Sequence, residues 1–353
     1  GKDGLGWVAD GTGQLARSAV HYAWEAPTPW RLAWTVGQTG YRAWRTSTRR
    51  CTKRSVEVAP LTRRHTAVLV GGLGSTSTNA AIDDVDTTTL GYELDDVVRY
   101  SYAGGRTPDA ERGSTFAGLP TNPYRSEDTQ GDLFTEGEQL ADFLEAVVAE
   151  QPGRPIDVFA HSQGGIVTRL ALLELVERHG PAWLDNLGHL ATIATPHGGA
   201  DVATLLHAVG STNLGRALLE VGELATSLDS DATAIRQLGE TSEVVRYLGD
   251  HPIPEGVRAI SIAARTDPVV PVPRTKVDGA TSSVVSLMDP RAHDQLPGDR
   301  RTTRELGLSL AGRAPSCKGF LTAFGDEGAG EVISGVIDGV APVAFATLAR
   351  FGG

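Results

Sequence analysis

The chain has 353 residues, of which 40% are hydrophobic and 21% are charged. This composition is that of an ordinary globular protein, and it excludes a disordered chain, a collagen-like chain and a mini-protein held together by disulfides. The net charge of -11 is unevenly spread: residues 1–64 hold 11 Lys or Arg against 4 acidic residues, and the remainder holds 21 against 39. Because affinity for nucleic acid comes mostly from basic residues that neutralise phosphates, we expect no nucleic-acid partner for the main body.

Residues 1–64 are predicted to form a basic helical arm. Five of the six tryptophans lie in this arm: Trp7, Trp24, Trp30, Trp34 and Trp44. One interpretation is a helical arm that packs on the following domain. A second is attachment to a membrane surface, where Trp and Arg both find partners. A protein partner is the third interpretation.

From residue 65 onward, predicted strands alternate with predicted helices. Short apolar runs predict six strands, which begin near His65, Asp95, Ile156, His189, Val257 and Ser282. Apolar residues at a 3.6-residue period predict a helix over 133–150, and a second helix follows over 166–179. This alternation favours an α/β fold, with a mostly parallel sheet and helices on both faces.

Two further regions are predicted from the helical patterns. Residues 200–252 interrupt the alternation and predict a helical cap or lid within a catalytic domain of residues 65–300. Residues 301–353 predict a C-terminal helical tail. The cap packs on the sheet, or forms an apolar wall or mobile lid over an acyl-binding groove, and the two interpretations are compatible because different faces can do each. Its apolar residues are Val202, Leu205, Leu206, Leu214, Leu218, Leu219, Leu224 and Leu228.

The segment Ala160-His-Ser-Gln-Gly has the pattern of a nucleophile elbow. It lies between a predicted strand and a predicted helix, which is the context that this motif requires. The small residues Ala160 and Gly164 allow strand and helix to approach closely, and Ser162 stands at the apex of the turn. We therefore predict that Ser162 is a catalytic nucleophile.

A serine nucleophile needs a base that takes its proton and an acid that orients the base. In this architecture the chain order is serine, acid, histidine. Asp267 follows a predicted strand, with Asp278 and Asp289 as alternatives, and His293 is the one histidine beyond Asp267. The sequence therefore predicts a triad of Ser162, Asp267 and His293.

Acyl transfer also requires hydrogen-bond donors aimed at the developing oxyanion. One donor is predicted to be the backbone N–H of Gln163, which directly follows the nucleophile. The second is predicted in the glycine-rich loop after the first strand, at the backbone N–H of Leu73.

These motifs in this order resemble the α/β-hydrolase superfamily, specifically bacterial lipases and esterases, and are also similar to inositol-deacylase-like hydrolases. The resemblance covers residues 65–300 and rests on Gly71-Gly-Leu-Gly, the elbow, Thr195-Pro-His-Gly, Thr266-Asp-Pro and His293. Two departures are Gly71-Gly72 where many such enzymes have His-Gly, and Ala160 in place of a glycine.

The resemblance implies an α/β-hydrolase fold and a serine carboxylic-ester hydrolase of lipase or esterase type. Its substrates would be small-molecule or lipid esters, cleaved through an acyl-enzyme on Ser162, without cofactor or metal. Gly72, His161 and His197 are assigned to substrate binding, with His197 interpreted mainly as a residue that holds its loop. Alternatives are an acyltransferase, a thioesterase, and a non-catalytic binding module that kept the fold.

The two cysteines, Cys51 and Cys317, either form one long-range disulfide or are unrelated thiols. Only four of the 32 basic residues are lysines, which indicates a GC-rich bacterial genome. The chain begins at Gly1, so no targeting segment can be read from it. We expect a secreted or extracytoplasmic protein, with membrane association and a cytoplasmic location as further options.

Overall fold

The computed structural model describes residues 28–108, 116–200, 228–229 and 231–330. Three predictions lie outside these residues: the first part of the arm with Trp7 and Trp24, the apolar repeat of the cap from Val202 to Leu224, and the tail beyond residue 330. Within the described ranges, no helix combines the length and the apolar character that crossing a membrane requires.

Six parallel strands form one sheet at the centre of the molecule. In chain order they are β1 (Thr66–Val70), β2 (Val97–Arg99), β3 (Ile156–His161), β4 (Leu187–Ile193), β5 (Ala259–Ala264) and β6 (Thr281–Val285). Their order across the sheet is β2-β1-β3-β4-β5-β6, and every neighbouring pair is parallel. The predicted α/β fold with a parallel sheet is confirmed, and all six predicted strands are present.

Helices precede, connect and follow these strands. They are α1 (Thr28–Thr48), α2 (Thr87–Leu90), α3 (Leu133–Glu150), α4 (Gln163–His179), α5 (Thr233–Gln237), α6 (Glu243–Asp250), α7 (Ala292–Gln295) and α8 (Arg300–Leu310). Residues 320–330 are also helical.

The core has two layers because successive strand residues point to opposite faces of the sheet. Val68 and Val158 belong to the layer that also contains the buried residues of α3 and α4. Leu69 and Phe159, their neighbours along the same strands, belong to the layer that contains the buried residues of α8. Both faces of the sheet are therefore covered, as expected for parallel strands.

Helix α3 begins where its sequence provides a cap. The Asp132 side chain accepts a hydrogen bond from the backbone N–H of Thr135 at 3.0 Å, which satisfies one of the free N–H groups of the first turn. Gly137 lies against α4, where a Cβ atom would come within 2.6 Å of the Cβ of Leu170. A glycine at this position therefore lets the two helices pack closely.

The described part of the arm is attached to the far end of the chain. Cys51 and Cys317 form a disulfide across 266 residues. Beside it, the backbone N–H of Thr52 donates to Pro315 O, and the N–H of Cys317 donates to Thr52 O, both at 2.8 Å. In α1, Thr39 and Ala43 are buried. These contacts favour the packed arm, and they resolve the open question of the cysteines in favour of the disulfide.

Removing this disulfide should strongly lower the free energy of unfolding. A crosslink over so long a loop restricts the unfolded chain, and we expect a loss of about 3 to 5 kcal/mol in the double variant Cys51→Ser/Cys317→Ser. Urea unfolding followed by circular dichroism measures the loss. Reductant should destabilise the wild type similarly and leave the double variant unchanged; an unaltered urea midpoint in the double variant would contradict the expectation.

Candidate active site

Ser162 lies in a sharp turn between β3 and α4. Its backbone is at φ 53° and ψ -128°, a region that non-glycine residues rarely occupy. The turn fits only small neighbours, because a Cβ atom on Gly164 would overlap the backbone of Gly71. Ser162 holds the N-cap position of α4, yet its side chain makes no capping hydrogen bond. The hydroxyl is therefore directed to another partner.

That partner is His293, which is hydrogen-bonded to both other predicted triad residues. The Ser162 hydroxyl lies 2.9 Å from Nε2 of His293, and Nδ1 of His293 lies 2.9 Å from Oδ2 of Asp267. The second carboxylate oxygen of Asp267 accepts from the backbone N–H groups of Val269 and Val270. The structure thus brings together three residues that lie up to 131 positions apart. Their catalytic roles remain predictions.

The surroundings of His293 set its basicity. Burial opposes the charged imidazolium, but the charge of Asp267 and its hydrogen bond to Nδ1 outweigh burial and raise the pKa of His293 above its ordinary value. Because Nδ1–H donates a hydrogen bond to the Asp267 carboxylate, Nε2 of the neutral ring carries no proton and can accept that of Ser162. This is the arrangement that a general base requires.

The raised pKa predicts where activity is lost on acidification. Neutral His293 accepts the serine proton, so kcat/KM should be maximal at pH values above the pKa of His293 and should decrease as the pH falls through that pKa. The midpoint should lie above the ordinary histidine value of about 6.5. A pH-stat titration of a soluble alkyl ester measures this profile. A midpoint at or below the ordinary value would contradict the coupling of His293 to Asp267.

His161, which was assigned to substrate binding, is buried beneath His293. Its Nε2–H donates to the backbone carbonyl of His293 at 3.0 Å, and the two rings are 4.8 Å apart. Burial, with the charge of His293 as a second cause, lowers the pKa of His161 to about 3, so its ring stays neutral. This geometry indicates that His161 positions His293; its place beside Ser162 was the one signal in the sequence.

The predicted oxyanion donors lie on the two segments that meet at the nucleophile. A Cβ atom on Gly72 would come within 2.8 Å of the Cβ of Ser162, so the glycine-rich loop lies directly against the serine. Among the described residues, the backbone N–H groups of Leu73 and Gln163 donate to no other protein group. Both donors are therefore available to an oxygen that develops charge near Ser162.

Thr129 contacts both segments that carry the predicted oxyanion donors, a contact that the sequence did not reveal. Its hydroxyl accepts from the backbone N–H of Gly74 at 2.8 Å, and its carbonyl accepts from Nε2 of Gln163 at 2.7 Å. The Tyr102 hydroxyl donates to Gly71 O at 2.7 Å. Gly72 allows the glycine-rich loop to approach Ser162 closely, and the hydrogen bonds of Thr129 and Tyr102 hold that loop in place.

Glu136 is a buried carboxyl behind Gln163. Nε2 of Gln163 also donates to Oε2 of Glu136 at 3.2 Å. Burial raises the pKa of Glu136 to about 9, which leaves the group protonated at neutral pH. The site thus avoids a negative charge behind the predicted donor Gln163. The sequence contained a signal for this buried carboxyl, because Glu136 is an acidic residue on the apolar face of α3, between Leu133 and Leu140.

The buried ring of His197 makes two side-chain contacts at the loop that follows β4. Its Nε2 lies 3.0 Å from the Thr192 hydroxyl, and its Nδ1 lies 3.4 Å from the Arg169 guanidinium. Arg169 in turn donates to the backbone carbonyls of Leu248 and His251 at 2.7 Å. Burial keeps the pKa of His197 well below its ordinary value. The buried ring connects the loop to α4 and to the residues around α6.

One group of potential metal ligands is found in the described ranges: His161, His293 and Asp294, whose ligand atoms lie within 4.8 Å of one another. Both nitrogens of His293 are already hydrogen-bonded to Asp267 and Ser162. Nε2 of His161 donates to the backbone of His293. The group is therefore part of the triad and its support.

The parallel sheet, the elbow after β3 and the order serine, aspartate, histidine are those of an α/β-hydrolase fold. The predicted α/β-hydrolase fold is thereby confirmed. Residues 116–221 match the model of the family described as "Putative serine esterase (DUF676)". This match includes Ser162 and supports hydrolysis of ester substrates. The comparison with curated proteins gave no match.

Solved structures similar to this chain include several ester hydrolases. Lipase BlEst2 of Bacillus licheniformis in its mature form is 14% identical, with 71% of this chain and 94% of the other covered and a TM-score of 0.46. The metagenomic carboxyl esterase MGS0156 is 19% identical, with 60% and 53% covered and a TM-score of 0.34. Phospholipase PlaB of Legionella pneumophila is 13% identical, with 79% and 64% covered and a TM-score of 0.45.

Proposed function

We propose that this chain is a serine carboxylic-ester hydrolase of lipase or esterase type that cleaves hydrophobic acyl esters through an acyl-enzyme on Ser162. The observation that carries the proposal is the pair of 2.9 Å contacts that join Ser162, His293 and Asp267. The free N–H groups of Leu73 and Gln163 and the serine esterase family match support it.

The reaction follows from this geometry in two halves. Ser162 Oγ attacks the ester carbonyl while Nε2 of His293 takes its proton, and the oxyanion is held by the N–H groups of Leu73 and Gln163. When the tetrahedral intermediate collapses, the C–O bond to the alcohol breaks and His293 returns the proton to the leaving oxygen. A water molecule then attacks the acyl carbonyl while His293 takes its proton. As the C–O bond to Ser162 breaks, His293 returns that proton to Oγ, and the carboxylic acid leaves.

The location of the protein is part of the proposal. A disulfide such as Cys51–Cys317 forms and persists in oxidising surroundings, which supports an extracytoplasmic site of action. Membrane lipids and other poorly soluble esters are accessible substrates there. The apolar repeat of the predicted cap supports the same substrate class, although it lies outside the described residues.

A series of p-nitrophenyl esters from acetate to palmitate, in solution and as emulsion, tests the substrate class. We expect turnover that increases with acyl length and increases again above the solubility limit. The variant Ser162→Ala provides the background rate for each ester. A preference for short soluble esters without a gain in emulsion would contradict the lipase form of the proposal and favour a soluble esterase. Faster cleavage of matched acyl thioesters would instead favour a thioesterase.

A further inference from the structure

Helix α1 presents aromatic side chains to solvent. The side chains of Trp34, Tyr41 and Trp44 are 43%, 56% and 55% exposed. At 100° per residue, these three positions fall on one side of the helix, whereas the buried residues Thr39 and Ala43 fall on the opposite side. The arm is therefore packed on one face and carries an exposed aromatic surface on the other.

A basic cavity lies beside this aromatic surface. Its volume is about 230 Å³, and its walls are formed by α1, residues 272–276, β6, Lys318 and the helical residues 320–330. None of the triad residues lines it. Five basic residues belong to the lining: Arg42, Arg45, Arg49, Lys276 and Lys318.

The acidic residues of the cavity already have partners. Asp326 accepts from Lys318 and also pairs with Arg265 outside the cavity, while Glu327 pairs with Lys276 at 2.7 Å. Arg49 donates to a neutral carbonyl group, Ser282 O, at 2.8 Å. Among the described residues, the lining thus has five basic side chains against two acidic ones, and Arg45 is exposed on its α1 side.

The two features are continuous along one helix. Arg45 directly follows Trp44 in the helix, and its guanidinium carbon is 6.0 Å from the ring centre of Tyr41. The rings of Tyr41 and Trp44 are 6.2 Å apart. Tryptophan and tyrosine prefer the boundary between lipid headgroups and water, and neighbouring arginines attract anionic headgroups.

We propose that this surface binds anionic membrane lipids. Trp34, Tyr41 and Trp44 would enter the headgroup boundary, and the cavity behind Arg45 and Arg49 would take a lipid phosphate. Charge complementarity carries the choice of occupant, because a zwitterionic or neutral surface leaves the excess positive charge unmatched. The proposal concerns binding and does not depend on the hydrolytic function.

Vesicle flotation with the full chain tests the proposal. The vesicles contain ether-linked phosphatidylcholine, with or without ether-linked phosphatidylglycerol, so that ester hydrolysis cannot alter the lipid. We expect the wild type to bind the anionic vesicles about ten-fold more tightly than the neutral ones, and the difference to shrink as salt is raised. Arg45→Ala should weaken binding roughly five-fold. Trp44→Ala should weaken binding to both kinds of vesicle.

Matched controls distinguish this surface from the rest of the molecule. Leu94 is 58% exposed and Arg246 is exposed on α6, and neither lines the cavity. Leu94→Ala and Arg246→Ala should bind as the wild type does. Thermal unfolding of each variant confirms that it is folded. Equal binding of the wild type to both vesicle types, or folded Arg45→Ala and Trp44→Ala variants that bind like the controls, would overturn the proposal.

Discussion

Replacing Ser162 with alanine should lower kcat for ester hydrolysis by about 10⁵- to 10⁶-fold. The loss follows from the mechanism, because without Oγ no acyl-enzyme forms and His293 has no hydroxyl to deprotonate. The residual rate would come from the oxyanion donors acting on a water molecule. Steady-state kinetics with a soluble p-nitrophenyl ester measures the change.

Ser47→Ala is the matched control for this substitution. The Ser47 hydroxyl donates to Trp44 O within α1 and makes no contact with the triad. This control should retain the wild-type kcat. Turnover by Ser162→Ala within ten-fold of the wild type, in protein freed of contaminating esterases, would exclude Ser162 as the nucleophile.

Replacing Asp267 with asparagine should lower kcat by about 10⁴-fold while leaving the fold intact. Oδ1 of asparagine retains the acceptor for the N–H groups of Val269 and Val270. The amide nitrogen at the other position would face Nδ1 of His293 as a donor, which favours the tautomer that carries its proton on Nε2. His293 would then be unable to accept the proton of Ser162.

Two other aspartates were alternative acids in the sequence and provide the controls. Asp289 accepts from the backbone N–H of Arg291, and the backbone carbonyl of Asp278 accepts from the N–H of Ile253. Asp278→Asn and Asp289→Asn should therefore change kcat little. The kinetics of all three variants decide the assignment. A larger loss in either control than in Asp267→Asn would contradict the observed triad.

Local patterns in the sequence were sufficient to predict most of the framework. The apolar runs that end in glycine or in polar residues predicted all six strands, since a buried parallel strand is a short apolar segment. The elbow was identifiable because its small residues, its serine and its flanking elements are contiguous. His293 was identified by elimination, because it is the one histidine after Asp267.

The supporting contacts of the site were not predictable in the same way. The hydrogen bonds of Thr129 to Gly74 and Gln163 join residues 55 and 34 positions apart. The disulfide joins residues 266 positions apart. Such pairings depend on how the chain folds in three dimensions, and a single sequence contains no local pattern that reveals them. The buried position of Glu136 on α3 did leave a trace, as one acidic residue in an apolar stripe.

The central claim is that Ser162 is a nucleophile activated by His293, and covalent labelling tests it most directly. The wild type is incubated with a fluorophosphonate, and intact mass followed by peptide mapping locates the adduct. We predict one adduct per chain, on the peptide that contains Ser162, with no labelling of Ser162→Ala and greatly slowed labelling of Asp267→Asn. An unlabelled wild type, or an adduct that persists in Ser162→Ala, would contradict the claim.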